Sequence, residues 1–301
     1  FTGTFDGQGH TISGLNVSKS DKISVGLFAV NSGTIQDVNI VAEEILGSSS
    51  VGAVAGSNEA AGTLLNVHVT AEGVRGQSNV GGLVGTNRGN VSRCSADTTV
   101  TVTATQGVGG FAGDNSGVIE ESWAVTGINV DQQQSTNLDV GGFVGSNQNS
   151  GTIRNCYVVA SMDATVTFAR TDRELNMGGL VGQTYQSGAT LENGYSAVTI
   201  RANTNGRAQI GGLLGHLDAS GTYRNLHANG DLCTALLGSG SASRLTGCTL
   251  LGTGAMKQAS FAAQLGSAFA ADTQKVNQGY PILQVMAYDE ESGWSEWFED
   301  E

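Results

Sequence analysis

The feature that most narrows what this chain can fold into is a short segment that occurs seven times. It reads Val25-Gly-Leu-Phe-Ala, Val51-Gly-Ala-Val-Ala-Gly, Val80-Gly-Gly-Leu-Val-Gly, Val108-Gly-Gly-Phe-Ala-Gly, Val140-Gly-Gly-Phe-Val-Gly, Met177-Gly-Gly-Leu-Val-Gly and Ile210-Gly-Gly-Leu-Leu-Gly. Successive starts lie 26, 29, 28, 32, 37 and 33 residues apart, and a degenerate eighth copy falls at Thr234 to Gly238. A period of this size marks a stacked repeat, in which each unit is one supersecondary element that buries its apolar face only against its neighbours.

Each copy leads into a polar turn, often centred on Asn (Asn31, Asn58, Asn87, Asn115, Asn147), and then into a second segment opened by Gly, such as Gly33-Thr-Ile-Gln-Asp-Val or Gly151-Thr-Ile-Arg-Asn-Cys. A third stretch alternates β-branched and polar residues, as in Thr98-Thr-Val-Thr-Val-Thr, which is the pattern of a half-buried strand. Three short strands per repeat with Gly and Asn at the turns describe one coil of a β-solenoid. The expected fold is all-β, a parallel β-helix of about 7–8 coils stacked about 4.8 Å apart. The double Gly fits a place where a Cβ would clash, and the Asn column fits turns that need left-handed backbone angles, with identical amides on neighbouring coils placed to hydrogen-bond as a ladder. The apolar columns Ile35, Leu64, Val91, Ile119, Ile153, Tyr223 and Val38, Val67, Cys94, Ser122, Cys156, Leu226 should face inward. Cys94 and Cys156 then sit two coils apart, too far for a disulfide, whereas pairing of Cys233 with Cys248 stays open.

Composition bears on partners. Of 301 residues 45 are Gly and one is Pro, and 27 acids face 14 bases. Seven of those acids lie between Asp289 and Glu301, which leaves 20 against 14 elsewhere. Such a surface repels phosphate backbones, so no nucleic-acid partner is expected. No run approaches eighteen apolar residues, so no membrane insertion is expected of this stretch. The chain opens on Phe1 without a basic, apolar leader, and we read it as part of a longer protein.

The segments Gly82-Leu-Val-Gly, Gly179-Leu-Val-Gly and Gly212-Leu-Leu-Gly resemble the GLUG repeat, named for its Gly-Leu-hydrophobic-Gly core. The opening Phe1-Thr-Gly-Thr-Phe-Asp-Gly-Gln-Gly-His-Thr-Ile-Ser-Gly-Leu resembles the coil that precedes such arrays, and Met256 to Phe269 with Asn277-Gln-Gly-Tyr-Pro-Ile-Leu resembles an ending of large bacterial surface proteins. The resemblance implies a right-handed parallel β-helix, an extracellular or cell-surface location, and relatives among adhesin-like proteins and the non-catalytic parts of IgA-cleaving metalloproteases. It carries over no catalytic residue.

The expected organisation is a solenoid over 1–254, a cap over 255–287 and an acidic tail or linker over 288–301. Met256, Phe261, Leu265 and Phe269 stand at helical spacing, so a short C-terminal capping helix should cover the open end of the solenoid, where bare strand edges invite aggregation.

Motifs for chemistry are sparse. His10, His68, His216 and His227 form no zinc-peptidase pair, and there is no G-x-S-x-G elbow or P-loop. Asp6-Gly-Gln-Gly reads as a tight turn. No cofactor is expected, with calcium the one left open. A carbohydrate-active β-helix enzyme is the main alternative, with acids Asp131, Asp139, Asp163, Asp172 and Glu174 and with Arg170 and Arg173 near them; these come from different loops and read better as solvated charges. A spacer of a secreted metalloprotease is another. The loop from Asp163 to Asn176, where the repeat grows longest, is the most function-like connection.

One column supports a binding hypothesis. The residue after the second inward column is Asn39, His68, Ser95, Trp123, Tyr157, Tyr195 and His227, and strand alternation puts it outside. Trp123, Tyr157, Tyr195 and His227 would form a ring stripe on consecutive coils, either a stacking platform for sugars or a partner protein or rings that only stabilise neighbouring coils. The commitment from sequence is a non-catalytic, adhesin-like stalk that meets host or bacterial-surface glycans or proteins and adjoins neighbouring domains of a larger chain.

Overall fold

The computed structural model describes residues 1–102, 106–218 and 220–287. The acidic tail expected at 288–301, with Trp294 and Trp297, lies outside the described residues.

Because every copy repeats the same strand–turn–strand grammar, equivalent strands pair in parallel from coil to coil, and the chain winds into a parallel β-helix with three sheets. The first sheet has seven strands, from Ile23–Val25 to Arg207–Gly211, and carries the residues just before the double Gly. The second has eight, from Phe28–Asn31 to Leu237–Gly240. The third has thirteen and holds the long strands, such as Thr34–Leu46, Thr63–Gly76, Trp123–Gln134, Thr152–Phe168 and Ala189–Thr204. We number the coils by their copy of the repeat. Coil eight is the degenerate one: Leu213 donates its amide to Leu236 and Leu214 pairs with Leu237, as the faint repeat at 234–238 suggested.

Alignment columns are rows of neighbours in space. Ile35, Leu64, Val91, Ile119, Ile153, Leu191 and Tyr223 pair in register and are buried, as are Val38, Val67, Cys94, Ser122, Cys156 and Leu226. One apolar core runs the length of the lumen from Val25 to Ala228, with Phe111 stacked on Phe143 at 4.6 Å. The double glycines are explained by close approach: a Cβ on Gly110 would strike the carbonyl oxygen of Gly142 on the next coil. All four cysteines are free thiols, and burial pushes those of Cys94 and Cys156 up to about 12.

The Asn column forms the ladder but not the left-handed turns. Asn31, Asn58, Asn87, Asn115 and Asn147 pass one amide hydrogen bond each to the next, at 2.8, 2.9, 2.8 and 2.7 Å, inside the fold. The longest column of left-handed angles falls instead in the second segment, at Asp37, Asn66, Arg93, Glu121, Asn155, Asn193 and Asn225, all near φ of 50°, with others at Ser24, Ser50 and Asn79 just before the Val-Gly copies and at Asn149 and Gln186 in the polar turns. The second-segment corner turns the third-sheet strands. The amide ladder keeps extended backbone because its side chains, and not its main chain, do the bridging.

After the last solenoid strand, Thr249–Leu251, the chain forms helices α1 (Thr253–Met256) and α2 (Ala259–Leu265). A two-stranded antiparallel pair, Phe269–Ala270 with Ile282–Leu283, and helix α3 (Gln284–Ala287) follow. The expected helix is present but broken at Lys257 and Gln258, and all four of its anchors are buried. The segment folds back as a strap against the flank of the solenoid, where Phe261, Phe269 and Tyr280 meet the aromatic column at Tyr195 and His227.

Candidate functional site

The ring stripe exists as a stack. Its residues lie on the outer face of the third sheet, with Trp123 paired to Tyr157, Tyr157 to Tyr195 and Tyr195 to His227. Tyr157 and Tyr195 stack at 5.1 Å and 2°, Trp123 and Tyr157 at 6.2 Å and 12°, and His68 meets the far side of Trp123 at 5.5 Å.

Two facts correct the platform expectation. Tyr157, Tyr195 and His227 are buried, and Trp123 is half-buried. The strap covers them: Phe261, Phe269 and Tyr280 pack on Tyr195, Phe261 meets His227 edge-on, and Tyr157 donates its hydroxyl to Met286 Sδ at 3.3 Å. Polar atoms are satisfied within the same contact. Tyr195 Oη donates to the Pro281 carbonyl at 2.6 Å and accepts from Asn277 Nδ2 at 2.8 Å, while Asn229 Nδ2 bonds Tyr280 Oη at 2.8 Å. The rings also turn their faces to one another, so only their edges point outward, and a sugar ring stacks on a face. Burial lowers His68 and His227 to about 4, so both rings are neutral at pH 7.

Of the candidate acids, Asp163 pairs with Arg201 at 3.5 Å, Asp172 with Arg170 at 2.7 Å and Glu174 with Arg207 at 3.9 Å, all as surface ion pairs, and Asp131 is exposed. They do not converge. Asp139 is different. It is buried between the first and second sheets, where it accepts Asn176 Nδ2 at 2.8 Å, Tyr185 Oη at 2.7 Å and Ser146 Oγ at 3.2 Å. Asp114 on the neighbouring coil accepts Gln148 Nε2 at 2.6 Å, and desolvation pushes its carboxyl up to about 6. Desolvation also raises Asp139. This polar seam was missed because the residue after the repeat's last Gly (Ser57, Thr86, Asp114, Ser146, Gln183, His216) varies in type. The signal available was that it is polar in six consecutive coils.

Among the described residues, no three His, Cys, Asp or Glu side chains gather as metal ligands. At the opening turn Asp6 Oδ1 accepts the Gln8 amide at 2.9 Å, and Gln8 and Gly9 take positive φ, which is the turn read from sequence.

A concavity lies beside the stripe. It is a shallow groove of about 390 Å³ on the outer third sheet across coils two to five. Thr70, Asp97, Val125 and Val159 form its floor, in register; Glu72, Thr99, Gly127 and Ser161 form its far side.

Three parallel sheets, a glycine-packed turn and an internal amide ladder define the class: a repeat protein of the parallel β-helix kind. The chain carries GLUG repeats, and the GLUG motif is matched over residues 76–101 and 136–167, which are coils three and five. It is also similar to halomucin of Haloquadratum walsbyi (strain DSM 16790 / HBSQ001), 40% identical over 60 residues, which is 19% of this chain and 1% of that far longer protein. No solved structure matches the chain significantly. No helix among the described residues is long and apolar enough to cross a membrane.

Proposed function

We propose that this chain is a non-catalytic, extracellular module of a larger surface protein, a rod that spaces neighbouring domains and offers its flank to glycans or proteins of a host or bacterial surface. The observation that carries the reading is the parallel stacking of coil on coil in three sheets, reinforced over coils one to five by the buried ladder from Asn31 to Asn147. A ladder of this kind ties these five coils to one another and resists bending, which is what a spacer needs. The likeness to a short stretch of a very long protein supports the same reading. The test uses an antibody raised against the purified chain, applied to intact cells that make the parent protein. Labelling of unbroken cells is expected; labelling only after the envelope is opened would overturn the assignment.

A further inference from the structure

The groove across coils two to five is shaped by two local departures from the repeat. Coil two carries one residue more than coil three: Thr98 pairs with Ala71 but Val100 with Val74, so the strand bulges at Glu72 and Gly73, at the mouth of the groove. In coil four the column of Thr99 and Ser161 holds Gly127 instead, and a Cβ there would meet nothing nearer than Thr99 Oγ1 at 4.0 Å. The bulge aims a carboxylate toward the groove, and the glycine deepens it.

Its lining mixes two chemistries. Val125 and Val159 are half-buried and give an apolar floor, while Thr70, Thr99, Ser161 and the carboxylates of Glu72 and Asp97 supply hydroxyl donors and acceptors. Partial desolvation against the sheet raises the carboxyl of Asp97, which is still exposed. Trp123, two residues before Val125 on the same face, forms the shoulder toward the strap. Coils two, three and five supply the polar groups (Thr70 and Glu72, Asp97 and Thr99, Ser161) and coil four supplies only Val125 and Gly127; the coils lie about 4.8 Å apart, close to the length of one pyranose unit in an extended chain. A ligand of linked rings at that spacing, with hydroxyls at its edges and apolar C–H faces, meets the polar groups of coils two, three and five and the apolar floor of coils four and five.

We propose that this groove binds a neutral oligosaccharide, laid along the solenoid axis with roughly one sugar per coil. The proposal rests on the surface-module reading and names its ligand class. It moves the glycan contact from the buried ring stack to the open surface beside it.

The test is direct binding by the purified full chain to tri- to hexasaccharides of β-glucan, xylan, mannan and galactan, followed by calorimetry and by protein NMR shifts. At least one series should bind, with affinity rising up to about four sugars and unchanged between about 0.05 and 0.5 M salt. Gly127→Trp, which fills the far side of the groove, should weaken binding by more than about tenfold, and Asp97→Asn should weaken it several-fold. Ser161→Tyr, at the exposed lip, supplies the same block should Trp at 127 disturb the sheet, and circular dichroism reports on that. No binding to any series, binding unaffected by both blocking variants, or salt-sensitive binding of hexalysine in place of sugars would each overturn the proposal. Such a failure leaves the cell-labelling result untouched, so the two readings fall separately.

Discussion

Asn87 shows how much of this fold rests on single side chains. Its amide accepts from Asn58 and donates to Asn115, and none of the three reaches solvent. Asn87→Ala strands a donor on one coil and an acceptor on the other, each worth about 1–3 kcal/mol. The urea midpoint should fall accordingly, with the loss largest at coils two to four by hydrogen exchange. Asp114 makes the opposite case, since its folded carboxyl near 6 lies above the unfolded value of about 3.9. The folded state therefore holds the proton more tightly, and ionising Asp114 costs about 3 kcal/mol by pH 7. Asp114→Asn keeps an oxygen for Gln148 and should raise the midpoint at pH 7.5, with the gain closing as pH falls toward 4. His68 and His227 act with the other sign, because their lowered values make the fold lose stability from about pH 6.5 down to 4. The difference between wild type and Asp114→Asn isolates the carboxylate.

At the scale of elements, the strap and the coil beneath it form one unit distinct from the lumen. Met256, Phe261, Leu265, Phe269, Tyr280 and Leu283 join Tyr157 and Tyr195 in a cluster separate from the main core. Phe261→Ala removes the ring that meets both Tyr195 and His227 and should cost about 3–5 kcal/mol of local stability. Proteolysis would then cut first between 253 and 287 while the solenoid persists, and ANS fluorescence would rise as the stack is uncovered. Simultaneous loss of strap and solenoid would show instead that they fold as one unit. The helical spacing of Met256, Phe261 and Leu265 was visible in sequence because periodicity is local. What those residues pack against was not, since an outward aromatic column and a C-terminal apolar segment match any number of arrangements until both are placed in space.

For the whole molecule, register means that length is additive. A second copy of residues 108–139 inserted after Asp139 should lengthen the particle by about 4.8 Å in small-angle scattering with no change in cross-section; a widened cross-section would mean that coils do not stack independently. The repeat of Val-Gly-Gly segments, the inward columns of Ile, Leu, Val and Cys, and the Asn ladder were all readable from the chain. Each is a nearest-neighbour rule that stacking simply repeats. Three-dimensional packing alone decided that the left-handed corner falls at Asp37, Asn66, Arg93 and their equivalents, residue types that announce no common backbone angle. It likewise decided that Asp114 and Asp139 are sealed between sheets, that the ring stack lies under the strap, and that the open groove lies beside it. Burial of an outward-facing side chain depends on what crosses over it, and segments as far apart in sequence as Tyr157 and Met286 meet only once the whole chain is wound.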